Sequence, residues 1–274
     1  MTAGLLALLA LHGVAQKAHR PVEPPAQKTA KTQDPVHSGP SASAIPINRN
    51  VIVLDPAHGG VDSGSQISDT TVEKDVTLAL AFRLRAMLTA RGFNVVMTRD
   101  ADSPAEPGVT GAALTLDDRA GIANHAHAAA CLLLHATGSG NGVHLYSSEL
   151  DASAGEPPVV PWLTAQAAWV PESRLLEKQF ATALTRSDVP LVTSSASVRP
   201  MDSLMCPALV VELAPSGDDA DSINEADYQQ RVALSLAGAL LFWQQQVQPP
   251  IKITEPTTAS QAKDGANNVV GAQL

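Results

Sequence analysis

Apolar positions along this chain recur at two spacings, and the alternation between them predicts its elements. Val51-Ile52-Val53-Leu54 is a continuous, β-branched apolar run, the mark of a strand covered on both faces. Val72, Val76, Leu80, Leu84 and Leu88 then recur every fourth residue, which predicts an amphipathic helix, and Gly92 after Arg91 marks its end. Phe93 to Met97 predicts a second strand. Asp117 to about His127 predicts a helix with acids in its first turn, favourable against the helix dipole. Ala130 to Leu134 is a third buried strand, Gly142 to Ser147 a fourth, and Pro207 to Val211 another. Helices are expected within Thr164 to Arg186 and from Glu225 to Gln246. Strands alternating with helices predict an α/β fold: a single domain with a central mixed, mostly parallel sheet flanked by helices on both faces.

Outside that pattern the chain changes character. Gly4 to Ala15 is apolar and about as long as the core of an export signal, although no Lys or Arg precedes it. Residues 1–16 are read as a leader. Residues 17–48 hold six prolines among Ala, Ser, Thr, Gln and Lys, the composition of an extended linker. Pro249-Pro250 ends any preceding helix, and residues 248–274 read as a polar, disordered tail. The folded domain is therefore expected over residues 49–247.

Composition narrows the function classes. Of 274 residues, 45% are hydrophobic and 3% aromatic, so the core rests on Ala, Val and Leu. Lys and Arg number 18 against 27 Asp and Glu, a net charge of −9, which provides no field for a nucleic-acid backbone. No apolar run approaches the roughly 20 residues a membrane span needs. The two cysteines, Cys131 and Cys206, cannot build a Cys-rich zinc module, so any metal must take His and carboxylate ligands. Both fall near the starts of predicted strands, where a buried free thiol is the default expectation and a disulfide the alternative.

Chemistry-bearing residues gather at one edge of the predicted sheet. His58 follows the first strand in the turn Asp55-Pro56-Ala57-His58-Gly59-Gly60, His135 follows Leu134 directly, and Glu212 follows Val211 directly. All three lie at carboxyl ends of strands, where open α/β sheets bind ligands. Glu73 begins the helix that returns from the His58 turn. Each has a structural alternative. Thr70-Thr71-Val72-Glu73 fits a capping box. For His58 it is a turn residue beside two glycines, and for His135 a hydrogen-bonded histidine at a strand end. Glu212 is hardest to explain structurally, because a carboxylate after an apolar strand is costly to bury unpaired.

The ordered set VIVLDPAHGG (51–60), Glu73-Lys74-Asp75, VVMTR (95–99), LDDRAGIAN (116–124), His135-Ala136 and PALVVE (207–212) resembles the bacterial zinc-dependent N-acetylmuramoyl-L-alanine amidases. The resemblance implies one zinc ion held by His58, Glu73 and His135, with Glu212 as the catalytic carboxylate. It implies peptidoglycan as substrate and an exported, periplasmic or cell-envelope location, with no activator protein identified. The alternatives are an inactive peptidoglycan-binding or regulatory module and a zinc peptidase or amidase of other specificity. Three places depart from the family pattern: Ala57 stands for a glycine, Thr137 for an asparagine, and Leu213-Ala214-Pro215 follows Glu212. Asp55 is a candidate to orient His58 or a simple turn residue. Arg119 and Asn124 are read as structural. His125 and His127 point to different faces of their helix, and His144 reads as solvent-exposed.

Overall fold

The computed structural model describes residues 47–102, 113–152 and 161–247. The leader, nearly all of the linker and the tail lie outside them. Ten main elements follow one another: β1 (Asn48–Pro56), α1 (Glu73–Thr89), β2 (Asn94–Met97), α2 (Leu116–His125), β3 (Ala128–Ala136), β4 (Val143–Ser148), α3 (Val170–Arg186), β5 (Leu191–Ala196), β6 (Ala208–Leu213) and α4 (Ala226–Val247). The six strands form one sheet in the order β2-β1-β3-β6-β4-β5. β1 runs parallel to both β2 and β3, and β3 to β6, while β4 is antiparallel to β6 and parallel to β5. The sheet is thus mixed and mostly parallel, as the strand-helix alternation predicts.

Side chains alternate between two unequal cores. Ile52, Leu54, Leu132, Leu134, Leu209 and Val211 face α1, α3 and α4, whose Leu80, Leu84, Phe180, Val232, Leu236 and Leu240 close the larger core. Val51, Val53, Leu133 and Val210 point the other way, toward Ala120 and Ala123 of α2 and the short turn at Met201–Ser203. This thinner cover positions the site. Residues at odd positions of β3 and even positions of β6 share its face, so His135 and Glu212 emerge there.

β5 has no counterpart in the sequence reading. Its Val192 to Ser195 are all exposed, so this edge strand carries no apolar run to betray it. The helix placed within Thr164 to Arg186 begins at Val170, with Pro171 in its first turn, where a missing amide hydrogen costs nothing.

The cysteines correct the free-thiol expectation. Cys131 on β3 and Cys206 before β6 are joined by a disulfide, with Cα atoms 6.2 Å apart. The register that pairs Cys131 with Ala208 brings the two together. Closing a 75-residue separation removes about 4 kcal/mol of chain entropy from the unfolded state. Reducing the protein, or making the Cys131→Ala/Cys206→Ala variant, is expected to lower the urea midpoint correspondingly. Identical midpoints with and without reductant would contradict a formed bridge.

Candidate metal centre

The loop from Ala57 to Val72 presents the first ligand-competent residue and folds back onto the start of α1. Gly59 and Asp62 pair through both backbone groups, and the amides of Glu73 and Lys74 donate to Ser65 and Ser63 carbonyls. His58 sits at φ 61°, a left-handed conformation that costs most side chains about 1–3 kcal/mol. Two arginines hold it there. Arg119, 4% exposed, donates from Nη1 to Asp55 Oδ1 at 2.6 Å and to the Pro56 carbonyl at 2.8 Å, and from Nη2 to the His58 carbonyl at 2.6 Å. Arg99 donates to the carbonyls of Pro56, Ala57 and Lys74. Among the described non-glycine residues, positive φ falls at His58, His127 and Asp188 and not at Ala57, so the alanine in place of glycine is accommodated.

Arg119 therefore bears on the site through the backbone. Arg119→Met keeps the apolar stem but strands the buried Asp55 carboxylate, at a cost of about 3–5 kcal/mol. The variant is expected to melt earlier and to lose metal faster during dialysis against a chelator. A variant matching the wild type in both would show that the loop is held by other means.

Three side chains converge behind this loop. His58 Nε2 lies 3.1 Å from Glu73 Oε2, and His135 Nδ1 lies 2.9 Å from Glu73 Oε1. One ligand atom from each of the three falls within 4.8 Å of the others, so the group is able to hold a metal ion. The two imidazoles meet edge to face, with centroids 5.8 Å apart. Gly64, at φ 67°, packs so close that a Cβ there would lie 2.6 Å from the His58 ring and 2.8 Å from Glu73 Oε2. Only glycine closes the loop over this group.

Hydrogen bonds fix each member. Glu73 Oε1 accepts from the Ala136 amide at 3.2 Å and Oε2 from the Ser65 amide at 3.0 Å. Burial pushes the Glu73 carboxyl up, but the bonds from His135, His58 and Ser65 outweigh it and hold the group well below the ordinary carboxylate range. It is therefore an anion. The Glu73 bond raises the pKa of His58 against the opposing effect of burial, and Asp62 adds to the rise. Asp62 Oδ2 lies 2.9 Å from His58 Nδ1, which turns Nε2 inward. A carboxylate on the outer nitrogen of an imidazole is the usual support of a metal-ligating histidine.

The capping-box reading of Glu73 is thereby corrected. The residue before α1 is Val72, no side chain caps the helix, and the Glu73 carboxylate is turned to the two histidines. Asp55 does not touch His58; it binds Arg119 and Thr98 and reaches the loop only through that arginine. The sequence reading missed Asp62, whose signal is an acid four residues after His58 in a glycine-rich turn. Asn124 is structural, as expected: it accepts from the Met205 amide and donates to the Ser203 carbonyl. Thr137 bonds Ser139, away from the ligand group.

Glu212 stands one strand over, as the cross-strand neighbour of His135. Its Oε2 lies 2.9 Å from His144 Nδ1 and accepts from the Tyr146 hydroxyl at 3.2 Å. His144 is thus not the solvent-exposed strand residue expected; only 14% of its side chain is exposed, and it pairs with Glu212 across β4 and β6. Burial, followed by the Glu212 charge and hydrogen bond, pushes the Tyr146 hydroxyl up, so it remains a protonated donor.

A 97-residue stretch is 38% identical to a germination-specific N-acetylmuramoyl-L-alanine amidase of Bacillus subtilis, covering 34% of this chain and 40% of that protein. Over 136 residues it is 32% identical to the N-acetylmuramoyl-L-alanine amidase AmiA of Salmonella typhimurium, covering 50% of this chain and 41% of the relative. The chain thus matches under half the length of these curated relatives. The fold matches the N-acetylmuramyl-L-alanine amidase Ami1 of Mycobacterium smegmatis, with a TM-score of 0.55 at 21% identity over 72% of this chain and 97% of that one. The family model of the N-acetylmuramoyl-L-alanine amidases matches residues 52–241, which reaches all six strands of the sheet and takes in all four residues of the site, and the chain belongs to that family.

Proposed function

We propose that this domain is a zinc hydrolase that cleaves the amide between the lactyl group of N-acetylmuramic acid and L-alanine in peptidoglycan. The observation that carries the reading is the convergence of His58, Glu73 and His135, with Glu212 as the cross-strand neighbour of His135. The donor set fits zinc. Two imidazole nitrogens and one carboxylate oxygen are the composition of a catalytic site, with a fourth position left for water or substrate. When bound, the ion supplies Lewis acidity, bringing water toward a pKa of about 7 and drawing charge from the scissile carbonyl.

The protein's own residues do the rest. Asp62 orients His58, and the amides of Ser65 and Ala136 hold Glu73. Glu212 accepts the proton of the attacking water and passes it to the leaving nitrogen, which would otherwise depart as a poor anion.

The relatives named above act on the muramoyl–alanine bond by their names, which supports the same bond here. The disulfide fits an exported protein, since such bridges persist in oxidising compartments. No helix among the described residues is long and apolar enough to cross a membrane. The deciding experiment combines metal analysis of the purified protein with mass spectrometry of digested peptidoglycan. The expected result is about one zinc per chain, with released peptides beginning at L-alanine. Binding to peptidoglycan without release of peptides would overturn the reading.

A further inference from the structure

We propose that His144 and Tyr146 are positioning residues for Glu212, clamping its Oε2 so that Oε1 alone takes and returns the proton. The inference rests on the reading of Glu212 as the general base. β4 is antiparallel to β6, and its register sets His144 directly opposite Glu212. Tyr146 lies two residues further along β4, hence on the same face, and its hydroxyl reaches back diagonally to the same oxygen. His135, Glu212 and His144 thus form a row across β3, β6 and β4.

The hydrogen-bond chemistry is one-sided. An ionised carboxylate only accepts, so the 2.9 Å contact requires the proton on His144 Nδ1. The tyrosine donates as well. Two donors therefore occupy Oε2, while Oε1 takes no hydrogen bond from any described residue. A carboxylate held by one oxygen loses the freedom to rotate its two oxygens past each other. The remaining lone pairs keep a fixed direction, and proton transfer depends on that geometry.

The histidine is itself pinned. At Gly140, φ 87°, an added Cβ would come within 2.6 Å of His144 Cε1 and 2.8 Å of Nε2. The glycine-rich loop before β4 thus lets backbone close over the outer edge of the ring, on the side away from Glu212. A solvated histidine would need no such fit. His144 also lies outside the ligand-competent group, which comprises His58, Glu73 and His135. Its role is therefore exerted through Glu212 and not through the metal.

The test compares His144→Ala, His144→Asn and Tyr146→Phe with wild type and Glu212→Gln on purified peptidoglycan fragments, measuring kcat, KM, zinc content and Tm. Losing a hydrogen bond to a charged group predicts a fall in kcat of about 10- to 100-fold for His144→Ala, with KM and zinc content unchanged. Tyr146→Phe is expected to lose about 3- to 10-fold. His144→Asn places an amide donor near the former Nδ1 and should recover most of the loss, which a purely packing role would not. The proposal is overturned if His144→Ala keeps wild-type kcat, if its zinc falls in step with kcat, or if Asn is no better than Ala. If His144→Ala does not fold, Tyr146→Phe decides: a fall in kcat with zinc and KM unchanged supports the clamp, and wild-type kcat or a matching loss of zinc overturns it. Should Glu212→Gln itself keep full turnover, the general-base reading fails and the clamp with it. An inactive Glu212→Gln beside a fully active His144→Ala removes the clamp alone.

Discussion

Replacing His58, Glu73 or His135 is expected to remove zinc and activity together. For His58→Ala and His135→Ala one imidazole is lost from a set of three, and two donors do not hold zinc against solvent. Glu73→Gln is the more telling change because it keeps shape and volume. Each Glu73 oxygen faces one histidine and accepts one backbone amide, from Ala136 on one side and Ser65 on the other. An uncharged amide presents one oxygen and one NH2, so one of those backbone donors meets another donor. The group also loses the negative charge that burial among two imidazoles is built around. Removing a mere hydrogen-bond partner of a metal ligand costs about 10- to 100-fold in metal affinity, and loss of the ligand itself should exceed that. Zinc content by atomic absorption, measured beside peptide release from peptidoglycan, checks this. A Glu73→Gln protein that keeps both would mean the metal is held by another residue.

Much of this architecture was legible in the sequence because burial writes itself into the apolar pattern. Residues 51–54 of β1, 128–134 of β3 and 208–211 of β6 are buried, so each segment appears as an uninterrupted apolar run followed at once by a polar residue. That is why His135 and Glu212 were identifiable before any geometry was known. What stayed hidden obeys different physics. β5 is an exposed edge whose Thr-Ser-Ser stretch has no hydrophobic signature. The disulfide depends on the register of β3 against β6, which no local rule sets. Glu73 carried a second, local explanation as a helix cap, and only its distances to two histidines separated the readings. His144 and Tyr146 likewise looked like ordinary strand residues until the antiparallel pairing with β6 turned them toward Glu212. Pairwise chemistry across strands is a property of register, and register follows from the whole sheet.

Glu212→Gln is expected to behave unlike the ligand variants: zinc remains while turnover falls by about 10²–10⁴, the usual contribution of a general base. Glu212 lies outside the ligand-competent group, so its amide leaves the donor set of His58, Glu73 and His135 intact. The glutamine also keeps the side-chain length, and its carbonyl oxygen can still accept from His144 and Tyr146, so folding and substrate binding should change little. What it cannot do is take a proton from water at neutral pH and return it to the leaving nitrogen. The expected signature is a drop in kcat with KM nearly unchanged, because the interaction is made in the transition state and not with bound substrate. Residual activity above the uncatalysed rate should persist, since Lewis acidity at the metal site does not depend on this carboxylate. Full activity in Glu212→Gln would exclude it as the base. Loss of zinc along with activity would instead place Glu212 among the ligands and require the division of labour along β3 and β6 to be redrawn.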